Sequence, residues 1–195
     1  MSYQVAPFWI NSGKLACIIV ISLVLGFFSV SGFIIYLLAI GVVWAVAVSF
    51  KIHGMKEKGV VLKNSDISDW MVYIQGIPVE EKRQSLANPC FAILQQGQSF
   101  FGKAFILRAL IQAVFCVYIL QQIYFVDNIY VQIFALMFVA YILYSLWNTL
   151  KNYIAIKQNK IIAEELVAPS GSHWYRLSFE KKEKRIPALE SLFAI

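Results

Sequence analysis

"AFILRALIQAVFCVYILQQIYFVDNIYVQIFALMFVAYILYSLWN" occupies residues 104–148. It divides at Asp127-Asn128 into two apolar runs, 104–123 and 129–148, of about 20 residues each. A helix of that length rises about 30 Å, which matches the hydrocarbon core of a bilayer. Arg108 is the single charged residue of 104–126, and 128–150 carries none. The pattern predicts a transmembrane hairpin over 104–148 with its turn at "YFVDN".

Upstream, residues 15–50 form a second uncharged run. As one helix this run would measure about 54 Å, and a tilt of about 40° would still leave roughly 40 Å. "SVSG" at 29–32 offers the only break, with two serines able to bond the backbone locally and a glycine free in φ. A turn near 29–32 is therefore expected, making 15–50 a first transmembrane hairpin. Ser22/Gly26 and Gly41/Ala45 are small pairs at four-residue spacing, suited to close helix packing beside that turn. Residues 1–14, "MSYQVAPFWINSGK", lack the basic start of a cleavable signal and read as an interfacial segment before a retained first span.

Composition agrees. The chain of 195 residues is 59% hydrophobic and 14% charged, against about 45–50% and 25% in soluble domains. Seven Lys/Arg lie in 51–103 and eight in 148–195, while the 124–128 turn has only Asp127. Basic residues mark the cytoplasmic side, so both termini are expected in the cytoplasm and both hairpin tips outside. The net charge of +6 is explained by orientation and does not call for nucleic acid. Without a cleavable signal or extracellular cysteines, a bacterial inner membrane is the expected location.

Between the hairpins, 51–103 is too long for a plain connection. In "NSDISDWMVYIQGIP", Ile67, Trp70, Met71 and Ile74 follow helical spacing and suggest a short helix with one apolar face. "PVEEKRQSLANP" reads as a second. "CFAILQQGQSFFGK", with Phe100 and Phe101 on its apolar side, reads as an interfacial helix leading into the third span. These six residues are the candidate surface for a partner or for lipid. After 148 the helix is expected to run on to about Leu166, with "HWYRLSF" a possible strand and Leu189, Leu192 and Phe193 on a final short helix of the 149–195 tail. The expected fold is thus an all-α integral membrane protein, four transmembrane helices in two hairpins with short amphipathic cytoplasmic helices. Its cytoplasmic pieces look too short to bury a large core alone, which points to a partner.

The chemical inventory is sparse. His53 and His173 have no further ligand at metal-binding spacing, and Cys17, Cys90 and Cys116 form neither a zinc pattern nor a disulfide framework. No phosphate-cradling or nucleophile-elbow motif occurs. The acid pairs Asp66/Asp69, Glu80/Glu81 and Glu164/Glu165 suit helix starts or solvated faces better than catalysis. No catalytic residue, metal or cofactor is expected. Arg108 is the exception worth pursuing, because an ionisable residue inside a span is functional by default. Folding the hairpin about Val126 sets Arg108 opposite Tyr144, with Gln112, Tyr141, Ser145 and Asn148 completing an intramembrane polar cluster.

These observations lead to the expectation of a non-enzymatic subunit or modulator of a larger membrane assembly, such as a secretion, conjugation or transport complex. Its partners would be membrane lipid and either other membrane proteins or further copies of itself. The alternatives are a small oligomeric channel or transporter with Arg108 lining the path, and a lipid-acting enzyme using Asp66, Asp69 or His53.

Overall fold

A computed structural model describes residues 13–62, 67–74, 77–84, 88–167, 171–181 and 184–193, with side chains described for 18–62, 88–167, 171–180 and 185–193. The described chain is mostly helical with a small sheet. Helix α1 is Gly13–Phe27, and α2 is Gly32–Glu57 with one π turn at Leu38–Val43. Strands β1 (Val61–Leu62), β2 (Ile67–Ile74), β3 (Ile77–Gln84) and β4 (Cys90–Phe91) follow. Then come α3 (Leu94–Tyr124), α4 (Ile129–Lys157), β5 (Ile162–Val167), β6 (His173–Lys181), β7 (Lys184–Pro187) and α5 (Ala188–Phe193).

Three helices, α2, α3 and α4, are long and apolar enough to cross a membrane, which is compatible with residence there. Helix α1 is apolar but has 15 residues, about 22 Å of rise. The turn expected near 29–32 lies between Phe27 and Gly32, but the residue bearing the unusual backbone is Ser29, at φ +67, while Gly32 opens α2. Val30 N–H donates to Leu25 O at 3.0 Å and Ser29 N–H to Gly26 O at 3.2 Å, which closes α1 as a Schellman cap. Gly59, at φ +68, closes α2 in the same way, its conformation costing a glycine little.

Asn159, at φ +54, ends α4 likewise, with Lys160 N–H on Ala155 O at 2.9 Å. The helix therefore stops near Lys157, short of Leu166, and the chain turns back as β5. At the other end Asn128 caps α4, its Oδ1 accepting from Tyr130 N–H at 2.9 Å and Val131 N–H at 3.4 Å. Asn128→Ala is expected to cost about 1 kcal/mol, the usual value of an N-cap. Thermal unfolding in detergent against wild type would measure it.

In the two segments read as short cytoplasmic helices, the described residues 67–74 and 77–84 are strands. β2 and β3 pair antiparallel from Ile67↔Gln84 to Ile74↔Ile77. The four-residue face of Ile67, Trp70, Met71 and Ile74 depended on a 3.6-residue period. In a strand, positions 67 and 71 have one parity and 70 and 74 the other, so that single face does not carry over. Side chains of 63–87, and residue Asp66 altogether, lie outside the described residues.

β6 is the centre of the five-stranded sheet. It pairs with β5 from Ile162↔Ser178 to Val167↔His173, with β4 through Cys90↔Arg176 and Phe91↔Tyr175, and with β7 from Ser178↔Pro187 to Lys181↔Lys184. Ser178 pairs with both β5 and β7, so β7 shares β4's side of the central strand. β1 adds outside β4. Thus "HWYRLSF" is the strand its alternation suggested, and the final short helix also forms, with Leu189 and Leu192 buried.

Two apolar clusters hold the described chain together. One joins Leu25, Phe33, Ile40, Ile119 and Ile142 of the long helices. The other joins Trp44, Phe101 and Phe105 of the helices to Val61, Phe91 and Leu177 of the sheet and Leu192 of α5. The sheet and α5 therefore share a core with the ends of the long helices and do not bury one alone. At 31 and 29 residues, α3 and α4 measure about 46 and 43 Å. The sheet packs on the ends of this length, against Phe101 and Phe105 of α3 and Ile156 of α4.

Candidate functional site

The polar residues of the long apolar helices converge where α2, α3 and α4 meet beneath the sheet. Gln112 is fully buried, and its Nε2 donates to Ser145 Oγ at 3.0 Å and Tyr36 Oη at 3.2 Å. Its Oε1 accepts no hydrogen bond among the described residues. One turn along α4, buried Thr149 donates its hydroxyl to Ser145 O at 2.9 Å. One turn along α3 lies Arg108, only 1% exposed. Its guanidinium reaches a segment outside the hairpin. Nη1 donates to Leu192 O, near the C-terminus of α5. The last carbonyls of a helix have no partner within it, and a cation there suits both hydrogen bonding and the helix dipole.

The expected six-residue cluster is therefore split. Gln112 and Ser145 meet as expected, and Tyr141 is half-buried near Arg108. Tyr144 is 63% exposed and faces away, and Asn148 is half-buried. Tyr36, from the first hairpin, takes part without having been singled out. Counting Cα positions about Val126 misjudged the meeting points because long helical side chains lean toward their own N-terminus. Gln112 leans toward the sheet and Ser145 away from it, so residues some five positions further apart than the fold point suggests come together. The same lean carries Arg108 out to α5.

A second polar contact ties the two hairpin tips. Gln122 Oε1 accepts from Gly32 N–H at 2.8 Å, and its Nε2 donates to Ser31 Oγ at 3.2 Å and Tyr118 Oη at 3.1 Å. An amide near the end of an otherwise apolar run was the available signal. Of the small pairs, Ser22 is buried and donates to Ile18 O at 2.7 Å, and a Cβ on Gly26 would lie 2.7 Å from Ile34 Cδ1. Gly41 is buried within the π turn, and Ala45 is half-buried.

Phe101 is fully buried and Phe100 packs beside it, centroids 5.2 Å apart, with both rings against Phe91. Phe101 is thus a core residue, while Phe100 is half-buried and keeps part of its ring on an open groove between α2 and α3. Their apolar stripe belongs to the first turns of α3, which the sheet covers.

Asn88 fastens the same core: buried, it donates Nδ2–H to Leu177 O at 2.5 Å and accepts from Leu189 N–H at 3.3 Å. His53 pairs with Glu57 at 3.4 Å and His173 with Glu165 at 2.6 Å, both on exposed surface. Cys90 and Cys116 are buried free thiols. Among the described residues no three His, Cys, Asp or Glu side chains gather as a metal site. No family model matches the chain, and neither a curated protein nor a solved structure is significantly similar to it.

Proposed function

We propose that this chain is an integral membrane protein whose role is non-enzymatic, as a subunit or modulator of a larger membrane assembly such as a secretion, conjugation or transport complex. In this reading α1 is a short fourth span beside α2, and the sheet and both termini lie in the cytoplasm. The Lys/Arg residues favour that orientation: all but Lys14 and Arg108 fall at the sheet end or in its connections. The opposite end carries exposed Phe27 and Phe28 at one tip and Tyr124, Phe125 and Tyr130 at the other, the residue types favoured at a bilayer surface.

The observation that carries the functional reading is how the span polar groups are used. Arg108, Gln112, Ser145 and Gln122 all bond within the protomer and fasten its own elements together. Arg108 itself is buried and has no aqueous face in the protomer, which counts against a path lined by it. The outward faces of α3 and α4 are apolar, with Leu110, Val114, Val117, Ile133 and Trp147 exposed, a surface fit for lipid or neighbouring helices.

The test is the mass and composition of tagged protein extracted from its native membrane in a mild detergent. A discrete particle with other membrane proteins at fixed stoichiometry is expected. A lone protomer would overturn the assembly role, and so would a homo-oligomer conducting ions in liposomes.

A further inference from the structure

Between the second half of α2 and the start of α3 runs an open groove with a volume of about 680 Å³. Its walls are largely apolar, formed by Trp44, Ala47, Met55, Phe100, Ala104 and Leu107. Two cations border it, Lys51 from α2 and Lys103 from α3, and Gln95, Gln96 and Ser99 also line it. No acid lines it among the described residues. The indole of Trp44 stands in the wall, 6% exposed, and its buried Nε1–H has no acceptor among the described residues. A buried donor without a partner costs about 1–3 kcal/mol. Evenly apolar surroundings give no reason to keep one there.

We infer that this groove binds one anionic phospholipid, its phosphate between Lys51 and Lys103 and an acyl chain along Trp44, Ala47, Ala104 and Leu107. The inference rests on the membrane reading above. Charge selects the lipid class: two lysines and no acid favour a headgroup with net negative charge over a zwitterion. Position selects lipid over a soluble ligand. Leu107 is half exposed and continues into the outward apolar face through Leu110 and Val114, so the groove opens onto the surface that lipid chains would cover. Lysines at that level extend their stems along apolar surface and place their ammonium groups at headgroup depth. An ester or phosphate oxygen in the groove would also supply an acceptor for the Trp44 indole after a small rotation.

The experiment uses the full chain. Alkaline carbonate washing of its native membranes comes first: release of the chain would overturn the membrane reading itself, an outcome distinct from any change in lipid retention. The protein is then purified through detergent from vesicles of phosphatidylcholine mixed with phosphatidylglycerol, and retained lipid is counted by native mass spectrometry. The wild type is expected to keep phosphatidylglycerol in preference to phosphatidylcholine. Lys51→Gln with Lys103→Gln should reduce that preference about tenfold or more. Both lysines are exposed, so the fold should tolerate their replacement. Ala47→Trp fills the groove while leaving both cations and should remove the lipid as well. Equal retention of the two lipids, or an unchanged preference in the double variant, would overturn the inference. Displacement of phosphatidylglycerol by inorganic phosphate alone would also overturn it, because the site would then read a free anion.

Discussion

Arg108→Ala is expected to release α5 from the underside of the sheet and to lower stability by about 3 kcal/mol. Two losses add. Leu192 O loses a charge-assisted hydrogen bond in a buried setting, for which about 1.5–3 kcal/mol is typical. Truncating the largest fully buried side chain also leaves a cavity between α3 and α5, and large-to-small changes in cores cost about 2–5 kcal/mol. One gain opposes them: a guanidinium no longer has to be held away from water, an offset of some kcal/mol. Arg108→Met separates the contributions, because it keeps most of the volume and the stem packing while losing the hydrogen bond. It should cost about 1–3 kcal/mol. Thermal unfolding in detergent gives the totals, and protease cleavage within residues 188–193 reports α5 directly. Cleavage should appear in Arg108→Ala under conditions where the wild type is protected. A variant with wild-type midpoint and a protected C-terminus would show that Arg108 does not hold the tail.

The long apolar helices were legible because they rest on composition and length, which local sequence records directly. The 104–148 hairpin and the turn after Phe27 could be read from charge-free runs alone. The sheet could not. Its central strand draws partners from Cys90-Phe91, far upstream, and from β5 and β7 nearby. No local window contains that pairing. The β2–β3 hairpin was misread for a related reason. Ile67, Trp70, Met71 and Ile74 fit a helical period, yet Val72, Tyr73, Ile74 and Ile77 are β-favouring residues flanking Gly76, and strand pairing prevailed over the period. Within the site, Arg108 and Gln112 stood out as polar residues in apolar helices. The partner of Arg108, a main-chain carbonyl of a distant segment, carries no side-chain signature. The burial of Phe101, expected on a surface for a partner or for lipid, follows from the same omission, since the sheet that covers it was not foreseen.

Gly97 and Gly54 should respond to the same substitution with opposite sign. Both sit inside helices, where glycine costs about 1 kcal/mol relative to alanine. A Cβ on Gly54 would meet nothing within 4 Å, so Gly54→Ala should recover about that 1 kcal/mol. A Cβ on Gly97 would lie 2.8 Å from Leu177 Cδ1, 2.9 Å from Phe91 Cδ2 and 3.0 Å from Phe91 Cγ. Leu177 can give by rotating its end. The Phe91 ring cannot move freely, because Phe100 and Phe101 stand against it at centroid distances of 5.9 and 5.8 Å. The missing side chain is what allows α3 to lie this close to β4 and β6. Overpacking at such a contact costs about 1–3 kcal/mol, so Gly97→Ala should lose stability despite its better helix propensity. Gly97→Val adds two further methyl groups and a stiff χ1, and should lose about 3 kcal/mol or more. Unfolding midpoints of the three variants test the signs. Hydrogen exchange at Phe91 and Leu177 tests the mechanism, since parting the sheet from α3 should expose both amides in Gly97→Val while leaving the apolar centre of the spans protected. If Gly97→Val and Gly54→Ala shifted the midpoint alike, α3 and the sheet would not be packed as closely as this geometry requires.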